Sequence, residues 1–190
     1  MNALQSYLKS FHLLTQEEID FAHSITTSRE IKKGDFFIQE GRICREVAFI
    51  VSGGFRSFYH SSKSEEITYC FRFSPSFMTA YSSFITGLPT EENFQALVDS
   101  ELHIISKTAL QELESSGVNW LKLSKYLAEQ EYLEMERRVF LLQKESAEKK
   151  YHDLMSNHPH FLQLIPLNYL ASYLGITQRH LSRIRSSYAN

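Results

Sequence analysis

The spacing of apolar residues changes twice along this 190-residue chain. Leu4, Leu8 and Phe11 recur at helical intervals, and residues 3–28 read as helical. Within them Thr15-Gln16-Glu17-Glu18 has the form of an N-cap with acids in the first turn, leading into Ile19, Phe21 and Ala22. From Ile31 to Ser106 the pattern becomes short β-rich runs broken by turn residues. Phe36-Phe37-Ile38 precedes Glu40-Gly41, Val47 to Val51 precedes Ser52-Gly53-Gly54, and Phe55 to Tyr59 precedes Ser61 to Ser64. Ile67 to Phe73 stops at Ser74-Pro75, Phe94 to Val98 stops at Asp99-Ser100, and Leu102 to Ile105 closes the series. Several short strands at this spacing predict an antiparallel sandwich or barrel. From Lys107 the period is helical again. A short helix runs to Glu114 and ends near Ser116-Gly117. Val118 to about Gln143 then holds no Gly or Pro, longer than the roughly 8–20 residues of an ordinary globular helix. Such a helix joins two modules, pairs with a second copy of itself, or packs on its own sheet. Leu123, Tyr126, Leu127 and Leu133 are its candidate dimer contacts, although Gln130 and Arg137 interrupt the same stripe. A further helix ends before Asn157-His158-Pro159.

The sharpest pattern lies between Leu167 and Ser186. Two helices that cross steeply through a tight turn need a left-handed residue in the turn, and Gly175 supplies it. The crossing needs a small residue, and Ala171 stands four positions earlier. Leu170, Leu174, Ile176, Leu181 and Ile184 fit the apolar seam, Pro166 suits the first turn of the first helix, and Thr177 suits the cap of the second. This is the pattern of a helix-turn-helix. Its second helix leaves Gln178, Arg179, His180, Ser182, Arg183 and Arg185 outside the seam. Arginine forks onto guanine and glutamine pairs with adenine in a major groove, while serine and the remaining arginine suit bases or phosphates. An ordinary helical hairpin with a basic face has the same spacing.

Charge separates the two readings. The net charge is −2, yet no Asp or Glu follows Asp153, while Arg179, Arg183 and Arg185 do. The C-terminal stretch is therefore basic inside an acidic chain, as a nucleic-acid surface requires. Composition is otherwise that of a folded protein, 43% hydrophobic and 22% charged, enough to bury a core. No apolar run is long enough to span a membrane, and Met1 to Ser6 does not read as a signal peptide. Cys44 and Cys70 do not make a disulfide framework and fit a reducing, cytoplasmic setting.

A β-barrel, a long helix and a terminal helix-turn-helix together resemble the Crp/Fnr family of transcription regulators. The likeness rests most on Lys33-Gly34-Asp35 to Gly41, on Phe49-Ile50-Val51-Ser52-Gly53-Gly54-Phe55-Arg56, and on Leu181-Ser182-Arg183-Ile184. It implies an α+β chain with an antiparallel jelly-roll sensor of the cyclic-nucleotide-binding type at 1–116, a dimerisation helix at 117–144 and a DNA-binding domain at 145–190. It also implies a homodimer on double-stranded DNA, with two recognition helices in adjacent major grooves about 34–36 Å apart, and RNA polymerase as a partner. Thr177, Gln178, Arg179, His180, Ser182, Arg183 and Arg185 are then the DNA-facing set.

The sequence departs from that family in three places. Nucleotide-binding members hold the ribose and cyclic phosphate with a Phe-Gly-Glu segment and a later Arg-Ser/Thr-Ala. Here the first segment reads Phe77-Met78-Thr79-Ala80-Tyr81, and the second region, Pro89 to Ala96, has no Arg but contains Glu91 and Glu92. A phosphate needs a cation or converging N–H groups, so cyclic AMP is not expected through the usual contacts. Phe77, Thr79, Ala80, Tyr81, Thr90 and Glu91 are the candidate pocket for an unidentified small-molecule effector, with Phe71, Phe73 and Phe84 making the region aromatic. No cysteine precedes Cys44, so a four-cysteine iron–sulfur cluster is not expected. His60, His103 and Met78 are the available haem ligands, each more commonly a plain surface or core residue, and no resident cofactor is expected. The link from Pro159 to Pro166 and the residues after Arg185 leave little room for the strand pair, or wing, that family members often add.

Two other classes remain open on sequence. A ligand-sensing module acting on a partner protein, with weak or no DNA binding, would also explain the altered pocket. Catalysis has little support. The His-x-His of a metal-binding barrel occurs only as His158-Pro159-His160, within a helical linker. No phosphate loop or nucleophile elbow is present, and no catalytic or metal-ligating residue is assigned.

Overall fold

The computed structural model describes residues 2–157 and 164–188. The His158-Pro159-His160 motif lies outside them.

Two N-terminal helices, α1 (Ala3–Ser10) and α2 (Gln16–Ser24), are each closed by a capping box. In α2 the expected Thr15 cap is present: Thr15 Oγ1 accepts from the Glu18 amide at 3.2 Å, and Glu18 returns the bond to the Thr15 amide at 2.8 Å. The helical reading to residue 28 runs too far. Strand β1 (Thr27–Ile31) begins there because its pairing with β8, Thr27 opposite Ile104 through Ile31 opposite Ser100, outweighs local propensity.

Seven more strands follow: β2 (Phe36–Ile38), β3 (Glu46–Ser52), β4 (Gly54–His60), β5 (Glu66–Phe73), β6 (Ser76–Met78), β7 (Asn93–Ala96) and β8 (Ser100–Ser106). They form two four-stranded sheets, ordered β1-β8-β3-β6 and β2-β7-β4-β5, in the antiparallel double-sheet arrangement that the pattern predicts. A short helix, α3 (Tyr81–Thr86), interrupts the strands and was not signalled by periodicity. Ala48, Ile50, Phe55, Met78, Ala80, Phe94, Leu102 and Ile104 share one buried core cluster. Phe49, between Ala48 and Ile50 on β3, joins a second cluster with Leu4, Leu8, Ile19, Leu113, Trp120 and Leu123. The Gly53-Gly54 turn is forced by its neighbours. Gly53 has φ +95°, and a Cβ there would lie 2.8 Å from the backbone Cα of Ser100.

The helical remainder comprises α4 (Lys107–Ser116), α5 (Val118–Lys144), α6 (Ala147–Asn157), α7 (Leu167–Leu174) and α8 (Gln178–Tyr188). The chain falls into two compact units: the residues up to Tyr59 with Phe71–Ala128, and His60–Cys70 with the chain from Glu129 onward. The division falls inside α5. The reason is packing, because the first turns of α5 bury Trp120 and Leu123 in the core of the first unit.

Candidate nucleic-acid interface

The turn between α7 and α8 has the chemistry its sequence requires. Gly175 is left-handed (φ 69°, ψ 32°), and its amide donates to the carbonyls of Ala171 and Ser172. The Ile176 amide donates to Ala171 at 3.0 Å, which completes a Schellman-type stop. Thr177 Oγ1 accepts from the His180 amide at 3.2 Å and so caps α8. Leu170, Ala171, Leu174, Leu181 and Ile184 are all buried, as are Tyr151 and Leu154 of α6. Ile176 is half-buried.

That packing leaves a polar face on α8. Gln178, Arg179, Ser182, Arg183 and Arg185 are exposed, and so is Thr177. His180 is half-buried, with Nε2 3.7 Å from Glu148 Oε1 on α6. Glu148 is thus an acid that reaches α8 despite lying earlier in the chain. Its carboxyl is held below the usual range, first by backbone hydrogen bonding and then by Ser146 and His180. All seven predicted DNA-facing residues therefore belong to one cap and one helix. Among the described residues after Lys144 there is no strand.

The candidate pocket residues are not gathered in this way. Phe77 is drawn off by aromatic packing on Phe49 (5.3 Å) and Tyr7 (5.7 Å), in the cluster beneath the N-terminal helices. Thr79 Oγ1 donates to the Glu46 carbonyl at 2.9 Å. Ala80 is fully buried in the inter-sheet core, Tyr81 and Glu91 are exposed, and Thr90 is buried with its hydroxyl accepting from the Glu92 amide at 2.9 Å. A cavity of about 380 Å³ opens instead along residues 36–39 and 42–46, and none of the six lines it. Glu92 accepts from Ser57 Oγ at 2.8 Å. Arg56 on β4, the last residue of the Phe49 to Arg56 motif, is a buried cation that is not among the candidate pocket residues. It donates to Gln95 Oε1 at 3.1 Å and lies 4.0 Å from the centre of the Phe58 ring.

The metal-ligand candidates are equally dispersed. Met78 is buried in the inter-sheet core, His60 is exposed, and the half-buried His103 stacks on His23 with ring centres 5.7 Å apart. Among the described residues no group of three or more His, Cys, Asp or Glu side chains is placed to hold a metal ion.

The candidate dimer contacts divide. Leu123 must be corrected: it is 2% exposed, sealed in its own protomer's core with Leu113 and Trp120, and offers no surface to a second copy. Leu127 is half-buried at the edge of that cluster. Tyr126 and Leu133 are exposed, together with Leu121, Tyr132, Met135, Val139 and Phe140 on the same helix.

Residues 28–116 match the family model of the cyclic nucleotide-binding domain. That segment is similar to a cyclic nucleotide-binding domain. No curated protein matches the chain by sequence. Among solved structures it is similar to FixK2 from Bradyrhizobium japonicum, at 16% identity and TM-score 0.75, over 86% of this chain and 84% of that one. It is also similar to CLP of Xanthomonas campestris, a c-di-GMP-responsive global regulator, at 16% identity and TM-score 0.73, over 92% of each chain. A third neighbour, from Eubacterium rectale, is described as a transcriptional regulator of the Crp/Fnr family and matches at 16% identity and TM-score 0.71, over 94% of this chain and 85% of that one. The chain has the fold of these structures. Within that fold, no helix of the described residues is long and apolar enough to cross a membrane.

Proposed function

We propose that this chain is a sequence-specific, DNA-binding transcription regulator of the Crp/Fnr type that acts as a homodimer. The observation that carries the reading is α8: a capped helix, held by a buried seam, whose exposed face presents Gln178, Arg179, Ser182 and Arg183. These are the donor types that read base edges and phosphates in a major groove. Thr177 and Arg185 flank the reading face and suit backbone contacts, and His180 lies beside them on α8. The exposed apolar residues of α5, Tyr126 and Leu133 among them, are the dimerisation surface, and the two helix-turn-helix motifs then address half-sites about one helical turn apart. RNA polymerase is the partner that the family implies.

The sensor keeps the domain fold without the usual phosphate grip. Glu92 bonded to Ser57, in the region where nucleotide-binding relatives place a cation, opposes an anion, and the effector is a molecule other than cyclic AMP. The test is selection of genomic fragments by the purified protein, followed by gel shift at moderate salt. A preferred two-fold-symmetric sequence is expected. Equal affinity for that sequence and for random DNA overturns the reading.

A further inference from the structure

We propose that the cavity along residues 36–39 and 42–46 is a binding site for a small amphiphilic anion, a phosphate or carboxylate head on an aromatic or short acyl body. Its volume of about 380 Å³ lies near the lower end of ligand pockets, roughly 300–1,000 Å³, and suits one ring with an acid group rather than a peptide. The lining has two parts. The apolar part comes from Phe36, Phe37 and Ile38 of β2, which are half-buried, and from Ile43, which is exposed. Phe36 packs against Phe58 with ring centres 6.4 Å apart, and Phe37 against Phe94 at 6.5 Å, so packing holds both aromatic side chains in place. An isolated bridge between Ile43 and Pro89 sets the exposed Leu88 nearby and extends the apolar rim.

The other part is cationic. Arg42 and Arg45 line the cavity, both are exposed, and neither guanidinium makes a hydrogen bond or ion pair among the described residues. The acid of the lining, Glu46, is already engaged: Arg29 Nη1 and Nη2 donate to its two carboxylate oxygens at 2.8 and 2.9 Å. Asp35 and Glu40 flank the segment without lining the cavity. The two guanidiniums are therefore left without a counter-charge, and their stems start from fixed points. The Arg42 carbonyl accepts from the Thr90 amide and the Arg45 carbonyl from the Lys107 amide, each at 2.8 Å. Between them the Cys44 amide donates to Ser83 Oγ at 2.9 Å. Two guanidiniums on an anchored loop match the charge and the acceptor oxygens of a phosphate or carboxylate. The apolar lining favours an organic anion over a bare ion, because covering a ring adds what inorganic phosphate lacks. The site does not depend on the DNA reading.

Titration calorimetry and amide chemical shifts of the full-length protein test this, with phenyl phosphate and phenylacetate as probes. At least one probe should bind once per protomer, with shifts centred on residues 36–46, and the tighter of the two identifies the head group. Arg42→Ala and Arg45→Ala should each weaken that probe about tenfold, the scale of one charge-assisted hydrogen bond. Inorganic phosphate and acetate, the same heads without the ring, should bind about tenfold more weakly or worse. Both arginines are exposed, so their loss should leave thermal unfolding unchanged. The shift map on the unmodified protein decides the location without them. Binding of neither probe, shifts centred on α8, unchanged affinity in both arginine variants, or equal affinity for the bare ion overturns the proposal. Protein that selects no DNA loses the proposed function and should still bind the probe.

Discussion

The inter-sheet core and the helix-turn-helix are built from the same residue types and leave opposite surfaces. Around the candidate pocket of the first, polar groups are engaged internally: Glu92 by Ser57 and Thr79 by the Glu46 carbonyl, while Arg56 on β4 meets Gln95 and Phe58. On α8 the seam uses Leu181 and Ile184, and the intervening Gln178, Arg179, Ser182 and Arg183 stay outside. A polar side chain that folding already employs is a poor candidate for recognition. One that folding leaves aside is a better candidate, because meeting a ligand costs the fold nothing.

Two glycines give the largest and clearest break of that comparison. Gly53→Ala combines a positive φ with a Cβ 2.8 Å from backbone, and should cost roughly 3 kcal/mol or more in denaturant unfolding. Gly175→Ala meets only Leu142 Cδ2 at 3.5 Å, an ordinary contact, and should cost about 1–2 kcal/mol of left-handed strain. Equal losses would mean that the two turns are alike after all. Leu123→Ala should lower unfolding free energy by about 2–4 kcal/mol, whereas Leu133→Ala should change it by less than about 0.5 kcal/mol and weaken self-association in analytical ultracentrifugation. Arg179→Ala should leave the melting temperature alone and cost about 1–3 kcal/mol of DNA binding, roughly 5- to 150-fold, with relaxed preference at one base position.

The smallest effect concerns His103. Burial first, and then the neighbouring His23, push its imidazole below the usual value, against the pull of Glu101. Between that lowered value and the unfolded one near 6.5, the unfolded chain binds a proton that the folded chain does not. Stability should therefore rise with pH across this window and level off above it. His103→Gln should flatten the profile of melting temperature against pH, and an unaltered profile would assign the dependence elsewhere.

The two regions also differed in how far residues alone could describe them. The turn, cap and seam of the helix-turn-helix were legible because each depends on a local requirement: a left-handed Gly175, a capping Thr177, apolar residues at helical spacing. The sheets were legible in kind and not in detail. β1 was hidden because Thr27 to Ile31 become a strand only through pairing with β8, about seventy positions away. Leu123 could not be told from Leu133, since helical periodicity says which residues share a stripe and not what covers it. The pocket candidates scattered for the same reason, because Phe77 was claimed by Tyr7 across the chain. The bonds that join Glu66, Thr68, Arg138 and Ser172 gave no signal, because all four have a backbone atom as one partner, which every sequence possesses.

The exposed arginines of α8 have a consequence for ionic conditions. Phosphate contacts release condensed counterions, and affinity then falls steeply with salt. Three arginines per protomer give six in a dimer. If all six neutralise phosphates, the logarithm of affinity should fall with the logarithm of salt at a slope of about −5.4, and doubling the salt would loosen the complex about fortyfold. With no acid after Asp153 in the sequence, little within this stretch competes with DNA for those charges. Occupancy of a promoter would then follow the ionic state of the cell as well as any molecule held in the barrel.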